Sequence, residues 1–473
     1  MAGKYEALCD EVPAASDGIP LQVAGVTVEW RFVVQLALPV SGTGQWGIGL
    51  WGVETWASPL QWVDVSGRFR GCDLSRGVES IGDRYRVGAA TFDLDNSDFG
   101  LSDWNEDSGV LGPMKGPLNG TPEYLVPGTL IRVGLQSAGV WYPLFTGITE
   151  SWVEHMSLMD ADRHVVITAV DTVAFLASVD APESSPAGSG EDQVERINRL
   201  LDAAGWEFGR EFDAVGVAQP AVPLQSTTMA GNRLAECYLT ADSSRCAFFS
   251  GRNGAALLLT DEGTARANDP AFVLGERARD FGGLSADELA AVRVTGTEPV
   301  AEIPYQPSPT FALDIAPVRN VISRARAGGS VVTVADSASR ARYGDQVDTR
   351  LDLICQSDSD VTTAAFFALI FRKWPTRMVT ATVDLNTLAA ANTLILFATH
   401  DLRDALRVWR PIRQIVVGSS TETYRVMHFT EIFAMNHRIA VAGPGLLDWQ
   451  CTYTLGMRGG ATQPGLSHTW VHG

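Results

Sequence analysis

The sequence predicts a mainly β protein with α+β insertions, its strands gathered toward the two ends and a helical, mixed region between them. Three observations carry this expectation. Runs that alternate apolar and polar residues, rich in Val, Thr and aromatics, recur over the first 180 residues and again beyond residue 376. The 46 Gly and 23 Pro, about one residue in seven, mark many turns and long loops rather than a helical array. No strand-helix-strand alternation is present of the kind that builds a nucleotide fold.

In chain order, residues 22–40 form the first β-rich run, and the alternation returns at 61–70, 85–95, 129–135, 140–153 and 163–171. Between these strands lie turn formers such as Asp95-Asn96-Ser97-Asp98 and the stretch from Gly112 to Pro117. The first 180 residues are therefore expected to form a barrel or sandwich with long loops. At 182–190 the chain becomes a linker, and Val194, Ile197, Leu200 and Leu201 then stand at helical spacing before Gly205. A short helix is expected over 231–242, and a hairpin over 246–260 turning at Arg252-Asn253-Gly254. Residues 287–292 suggest a helical turn, 318–335 two strands around Gly328-Gly329, and Val361–Lys373 an amphipathic helix stopped by Pro375. Strands resume at 378–384, 406–417, 423–441 and 448–455. Tyr142–Trp152 and Tyr424–Phe433 echo one another, each with an aromatic start, Phe-Thr and then a Glu. Two related β modules would produce that echo, and so would chance in segments this short.

At 473 residues the chain has room for about three domains. Its 45% hydrophobic and 19% charged residues are enough to bury substantial cores. No apolar run reaches the roughly 18 residues that span a bilayer, and the acidic first 20 residues lack a secretory core, so a soluble protein made in a cytoplasm is expected, with no membrane insertion. The balance of 36 basic against 55 acidic residues, a net charge of −19, argues against wrapping nucleic acid through phosphate contacts. Six cysteines lie far apart without ligand spacing, so they are expected as reduced, mostly buried thiols.

Spellings of catalysis are absent: there is no phosphate loop, no GxSxG elbow and no HExxH. None of the seven histidines pairs with a metal ligand at helical spacing. No catalytic residue, cofactor or metal is expected. Asp93–Asp107 resembles a calcium loop in its acid content, but counting from Asp103 the sixth position is Ser108 rather than Gly and the twelfth is Met114 rather than Glu. An Asx turn that satisfies its own backbone fits better. The chemistry-bearing cluster is Trp46, Trp51, Trp56 and Trp62, four of the 13 tryptophans within 17 residues. Neither helix nor strand has a period of five, and the rings serve either a partner interface or self-packing of a long hairpin over 41–62.

The order of motifs resembles a known family. Trp62-Val63-Asp64-Val65-Ser66 through Gly77, Gly88–Asn96, Pro127–Val133, Leu144-Phe145-Thr146-Gly147 and Ala169-Val170-Asp171 look like the amino-terminal half of minor tail proteins of long-tailed actinobacteriophages. Arg196–Trp206, Asn320-Val321, Ser339–Gly344 and the 361–374 helix resemble the later half. The resemblance covers about residues 60–455. It implies two tube-type β-barrel modules in a baseplate or tail-tip hub, a homotrimer whose six barrels continue the tail tube. The divisions it suggests are an arm at 1–21, a first barrel at 22–181, a mixed domain at 182–309, a second barrel at 310–456 with a helical insertion at 361–374, and a tail at 457–473. Its implied partners are copies of itself, the distal tail adaptor, the tail tube, the tape measure and other tail-tip proteins. Viral DNA would pass through the lumen without specific binding, at the tip of the virion's tail. The alternatives are a hexameric distal tail adaptor, a tail-associated cell-wall hydrolase and a carbohydrate-binding receptor protein.

Overall fold

The computed structural model describes residues 18–23, 26–39, 60–78, 84–102, 127–180, 185–213, 221–228, 231–260, 272–275, 279–280, 301–384, 399–409, 413–417, 420–443, 446–456 and 469–472. The chain is mainly β. Among the described residues the first part holds β1 (Ile19–Val23), β2 (Val26–Pro39), β3 (Leu60–Asp64), β4 (Phe69–Gly77), β5 (Arg86–Asp95), β6 (Leu130–Ser137), β7 (Val140–His155) and β8 (His164–Asp171). The alternation at 61–70, expected as one strand, is two. Ser66 explains the break: its backbone N–H and its hydroxyl both donate to Asp64 Oδ1, at 2.8 and 2.5 Å, while its Oγ accepts from Val34 N–H at 2.8 Å. A single 3-10 turn over Ser66–Arg68 then swings the chain into β4.

The middle part carries α1 (Ala174–Ser178), α2 (Gln193–Ala203), β9 (Arg210–Phe212), α3 (Arg233–Ser244), β10 (Cys246–Ser250) and β11 (Ala256–Thr260). Helix α2 opens with a capping box: Asp192 accepts from the N–H groups of Val194 and Glu195, and Glu195 accepts from Asp192 N–H. Gly205 at φ +70 follows its end. Ile197, Leu200 and Leu201 from α2 meet Leu234 and Cys237 from α3 and Phe248 and Leu258 from the hairpin in one core, which reaches Trp62 and Leu130 of the first part. Residues 182–184 of the expected linker, and the helical turn expected at 287–292, lie outside the described residues.

The last part comprises β12 (Phe272–Gly275), β13 (Arg279–Asp280), β14 (Ala301–Pro304), β15 (Thr310–Asp314), β16 (Val321–Arg326), β17 (Val332–Ala335), α4 (Ser337–Tyr343), β18 (Val347–Leu353), α5 (Asp358–Arg372), β19 (Thr376–Asp384), β20 (Ala405–Trp409), β21 (Arg413–Val417), β22 (Ser420–Gly443), β23 (Leu446–Gly456) and β24 (Thr469–His472). The segment from β16 to α5 is a separate small layer, a three-stranded sheet in which β16 lies between β17 and a parallel β18, with Ala365 and Leu369 of α5 packed on Ile322. The strands over 318–335 and the 361–373 helix stand where the sequence puts them.

Two groups of strands repeat one arrangement. In the first, antiparallel pairing runs β4 to β5, β5 to β8, β8 to β7 and β7 to β6. In the second it runs β15 to β19, β19 to β23, β23 to β22 and β22 to β20. Chain order is the same in both, so β4, β5, β6, β7 and β8 correspond to β15, β19, β20, β22 and β23. The repeat ends there, because β6 goes on to pair antiparallel with β2 whereas β20 meets β12 in parallel. The echoing segments 142–152 and 424–433 lie on the corresponding strands β7 and β22. Each carries a bulge near the start of its pairing with the next strand, at Thr149/Ser151 and at Ile432/Ala434.

Candidate functional site

The two groups are joined within the chain where β4 pairs antiparallel with the second half of β22, Gly71–Gly77 against Ala440–Ala434. Glycine makes the approach possible: Gly77 sits at φ +122, and a Cβ there would overlap the Phe433 carbonyl oxygen and Ala434. Charge then locks the register. Arg76 reaches from β4 to donate to Asp401 Oδ1 at 2.7 Å and to the Ser250 carbonyl at 2.5 Å, tying the first part to the middle hairpin and to the turn before β20. Arg252 N–H donates to Asp401 Oδ2 at 3.2 Å, and the Arg252 side chain lies 3.6 Å from the same oxygen. Burial pushes the Asp401 carboxyl up, but Arg76 and Arg252 outweigh it and hold it below the usual carboxylate range. Arg403, paired with Glu431, donates to the Thr260 carbonyl at 2.9 Å. Such buried pairs fix which surfaces meet, whereas breaking one partner leaves an uncompensated charge.

The motifs singled out in the sequence meet as buried polar staples. Gly88 N–H donates to Asp171 Oδ2 at 2.5 Å, bringing Gly88–Asn96 and Ala169-Val170-Asp171 together. A Cβ at Gly88 would stand 2.9 Å from that oxygen. Asp171 is buried with no hydrogen-bond partner for Oδ1, and burial pushes its pKa up to about 7. Arg196, wholly buried, holds Glu191 and donates to the carbonyls of Gly188 and Gln225. Asn320 donates to Ser339 Oγ and the Gly344 carbonyl and accepts from Gln346 N–H, which links Asn320-Val321 with Ser339–Gly344. These residues organise backbone.

A cysteine and a histidine do come together, with Cys451 Sγ 4.0 Å from His437 Nε2. Both are buried. Burial raises the thiol to about 12, while burial, Arg252 and Arg76 lower the imidazole to about 3, so the pair is neutral, the opposite of an activated thiolate. Among the described residues no three His, Cys, Asp or Glu side chains gather as metal ligands, and no helix is long and apolar enough to cross a membrane. Five cysteines, Cys72, Cys237, Cys246, Cys355 and Cys451, are free and buried, and Cys9 lies outside the described residues.

In the described part of the acidic loop, Asp98 binds Arg68 through both oxygens, at 2.5 and 2.7 Å, and the Arg68 hydrogen bonds lower its pKa to about 2. Asp95 takes the Ser97 hydroxyl, and Asn96 accepts from Leu101 N–H. Asp95 Oδ2 also accepts from Ser97 N–H and Asp98 Oδ1 from Gly100 N–H, Asx contacts to the turn's own backbone as the sequence suggests; residues 103–107 lie outside the described residues. So do Trp46, Trp51 and Trp56. Trp62 lies on β3, 8% exposed, its ring 4.1 Å from the Arg132 guanidinium, which has the Trp141 ring at 5.0 Å and donates to Gln35 Oε1 at 2.8 Å.

Sequence reasoning missed a second echo. Ala90-Thr91-Phe92-Asp93-Leu94 and Ala381-Thr382-Val383-Asp384-Leu385 differ at one position in five. In space Thr91 pairs with Thr168, which pairs with Ser151, and Thr382 pairs with Thr452, which pairs with Asn436. The signal was present, but only the last four residues of the strand expected at 378–384 fall within the second copy.

No known family model matches the chain, and no curated protein matches it. Solved structures do. A tail protein from Neisseria meningitidis is 9% identical over 93% of this chain and 98% of its own, with a TM-score of 0.51. A 43 kDa tail protein of prophage MuSo2 from Shewanella oneidensis is 10% identical over 91% and 99%, with a TM-score of 0.48. A prophage tail protein from Listeria monocytogenes is 8% identical over 90% and 94%, with a TM-score of 0.41. At 9% identity the likeness to the Neisseria protein is one of fold, and it spans nearly the whole of both chains.

Proposed function

We propose that the chain is a structural protein of a phage-type tail, the hub at its distal end. The observation that carries this is the duplicated strand arrangement, β4 to β8 repeated as β15 to β23, within a fold shared with the Neisseria tail protein. A hub that continues a six-fold tube with three chains needs two tube-type modules per chain, whereas a hexameric adaptor needs one. The duplication therefore favours the hub over the adaptor. In this reading the modules occupy 22–181 and 310–456, the partners are copies of the chain, the adaptor, the tail tube and the tape measure, and DNA passes through the lumen.

Mass measurement of the purified assembly tests the stoichiometry. A particle of three times the 50.8 kDa chain is expected, and one of six times that mass moves the assignment to the adaptor. The tryptophan segment is the proposed contact with neighbouring tail proteins, with Trp62 at its buried root. Changing Trp46, Trp51 and Trp56 together to Ala should leave a folded chain that fails to join tails, each ring being worth about 1.5 to 3 kcal/mol at a packed interface. Normal incorporation of the triple variant into tails would return those rings to self-packing.

A further inference from the structure

The tip of the β7–β8 hairpin, we infer, binds a divalent transition-metal ion of the copper and zinc kind, held by His155 and His164 with water at its remaining positions. His155 ends β7, His164 begins β8, and the two stand directly opposite each other in the antiparallel ladder. Residues so opposed bring their Cβ atoms to about 5 Å. The two imidazoles accordingly lie face to face, with ring centroids 4.5 Å apart and planes 12° from parallel. His155 is exposed and His164 half-buried, so an ion in solution can reach the pair. Histidine spacing along the chain could not show this site, because the ladder brings together residues from the two ends of a hairpin tip.

The geometry also selects which nitrogen is offered. His164 Nδ1 lies 3.0 Å from the Asp162 carbonyl oxygen. That oxygen can only accept, so in the neutral ring Nδ1 carries the proton and Nε2 keeps its lone pair. One ring nitrogen tied to a carbonyl while the other faces a metal is the usual arrangement of a ligating histidine. The tip holds its shape through its own contacts: Met159 N–H donates to Ser157 Oγ at 3.1 Å, and Arg163 donates to the Ser157 carbonyl at 2.9 Å and pairs with Asp160 at 2.7 Å. Charge there favours a cation. Asp95 of β5 stands opposite His164 on its other side, in the same row as His155, and from Glu154 to His164 three acids stand against one arginine. Imidazole suits late first-row ions, and among these copper(II) binds such ligands most tightly.

Copper(II) is titrated by calorimetry into the full chain and into the double variant His155→Gln, His164→Gln, whose circular dichroism should match the parent. The parent should take up one more ion than the double variant, and the difference between their electron paramagnetic resonance spectra should show two imidazole nitrogens on that ion. Loss of an outer partner of a bound imidazole weakens a metal by about 10- to 100-fold, so each single variant, which loses the imidazole itself, should weaken the site by at least about 10-fold. The exposed His155 makes His155→Gln the variant that leaves the fold undisturbed. Equal uptake by parent and double variant, a difference spectrum without two nitrogens, or full-strength binding by His155→Gln overturns the site. The hub reading is tested separately, by the mass of the assembly, and does not depend on it.

Discussion

Asp171 is a carboxyl held far from the environment its type prefers, buried with one oxygen lacking a hydrogen-bond partner. A carboxyl raised to about 7 binds more protons folded than unfolded, so its contribution to stability is present below its ordinary pKa of about 4 and is lost as pH climbs to about 7. Asp171→Asn keeps an acceptor for Gly88 N–H and removes the titration. Parent and variant should unfold at similar denaturant concentrations near pH 4, and the variant should be the more stable at pH 8, by at most about 4 kcal/mol. Parallel pH profiles would place the cost of that burial elsewhere. His437 works in the opposite direction: it is lowered to about 3, and its neutral burial supports the fold at neutral pH and withdraws that support in acid. The motifs containing Gly88, Asp171, Asn320 and Arg196 were visible in the sequence. Their pairing was not, because each staple joins residues from 5 to 83 positions apart whose meeting is set by the sheet.

At the scale of elements, the long alternating strands were legible because one face of each is buried against a continuous core. Strand β8 is the clearest case, with buried residues at every second position. The strands missed are the short ones: β12 to β15 have two to five residues and no period long enough to read. β18 was missed although Val347, Thr349, Leu351 and Leu353 alternate with Asp348, Arg350 and Asp352, and the alternation there marks no buried face, since Val347 and Leu351 are exposed. The joint between β4 and β22 was beyond sequence reasoning altogether, but it makes a sharp prediction. Gly77→Ala forces a Cβ into the Phe433 backbone at a left-handed φ, and should destabilise the chain by about 3 kcal/mol or more as read by denaturant midpoint. Gly67→Ala, where nothing lies within reach of a Cβ, should change little. Equal effects from both would mean that the joint does not bear on stability.

For the molecule as a whole, the charge of −19 is the property with the widest reach. On the hub reading a genome would move through the assembled protein, which must then not hold phosphate, and binding that depends on neutralising phosphates rises steeply as salt is lowered. The purified assembly should therefore leave duplex DNA unretarded in a gel even at about 20 mM salt, where non-specific binders are strongest. Retention that disappears with added salt would point to a basic surface and against passage without binding.

The joint has one more consequence, and it concerns time. Strand β4 ends at Gly77 and its partner segment begins at Ala434, so about 360 residues must be made after one edge before the other exists. At a synthesis rate of about 5 to 20 residues per second that interval is on the order of 20 to 70 seconds. Once β8 is complete at Asp171 the rest of the first group can pair, but for about 260 further residues it waits with the β4 edge uncovered, and an uncovered edge templates whatever strand comes near. Crowded polysomes bring identical nascent edges together, so a hazard in producing this protein lies during translation, and slower initiation should raise its yield of native chains.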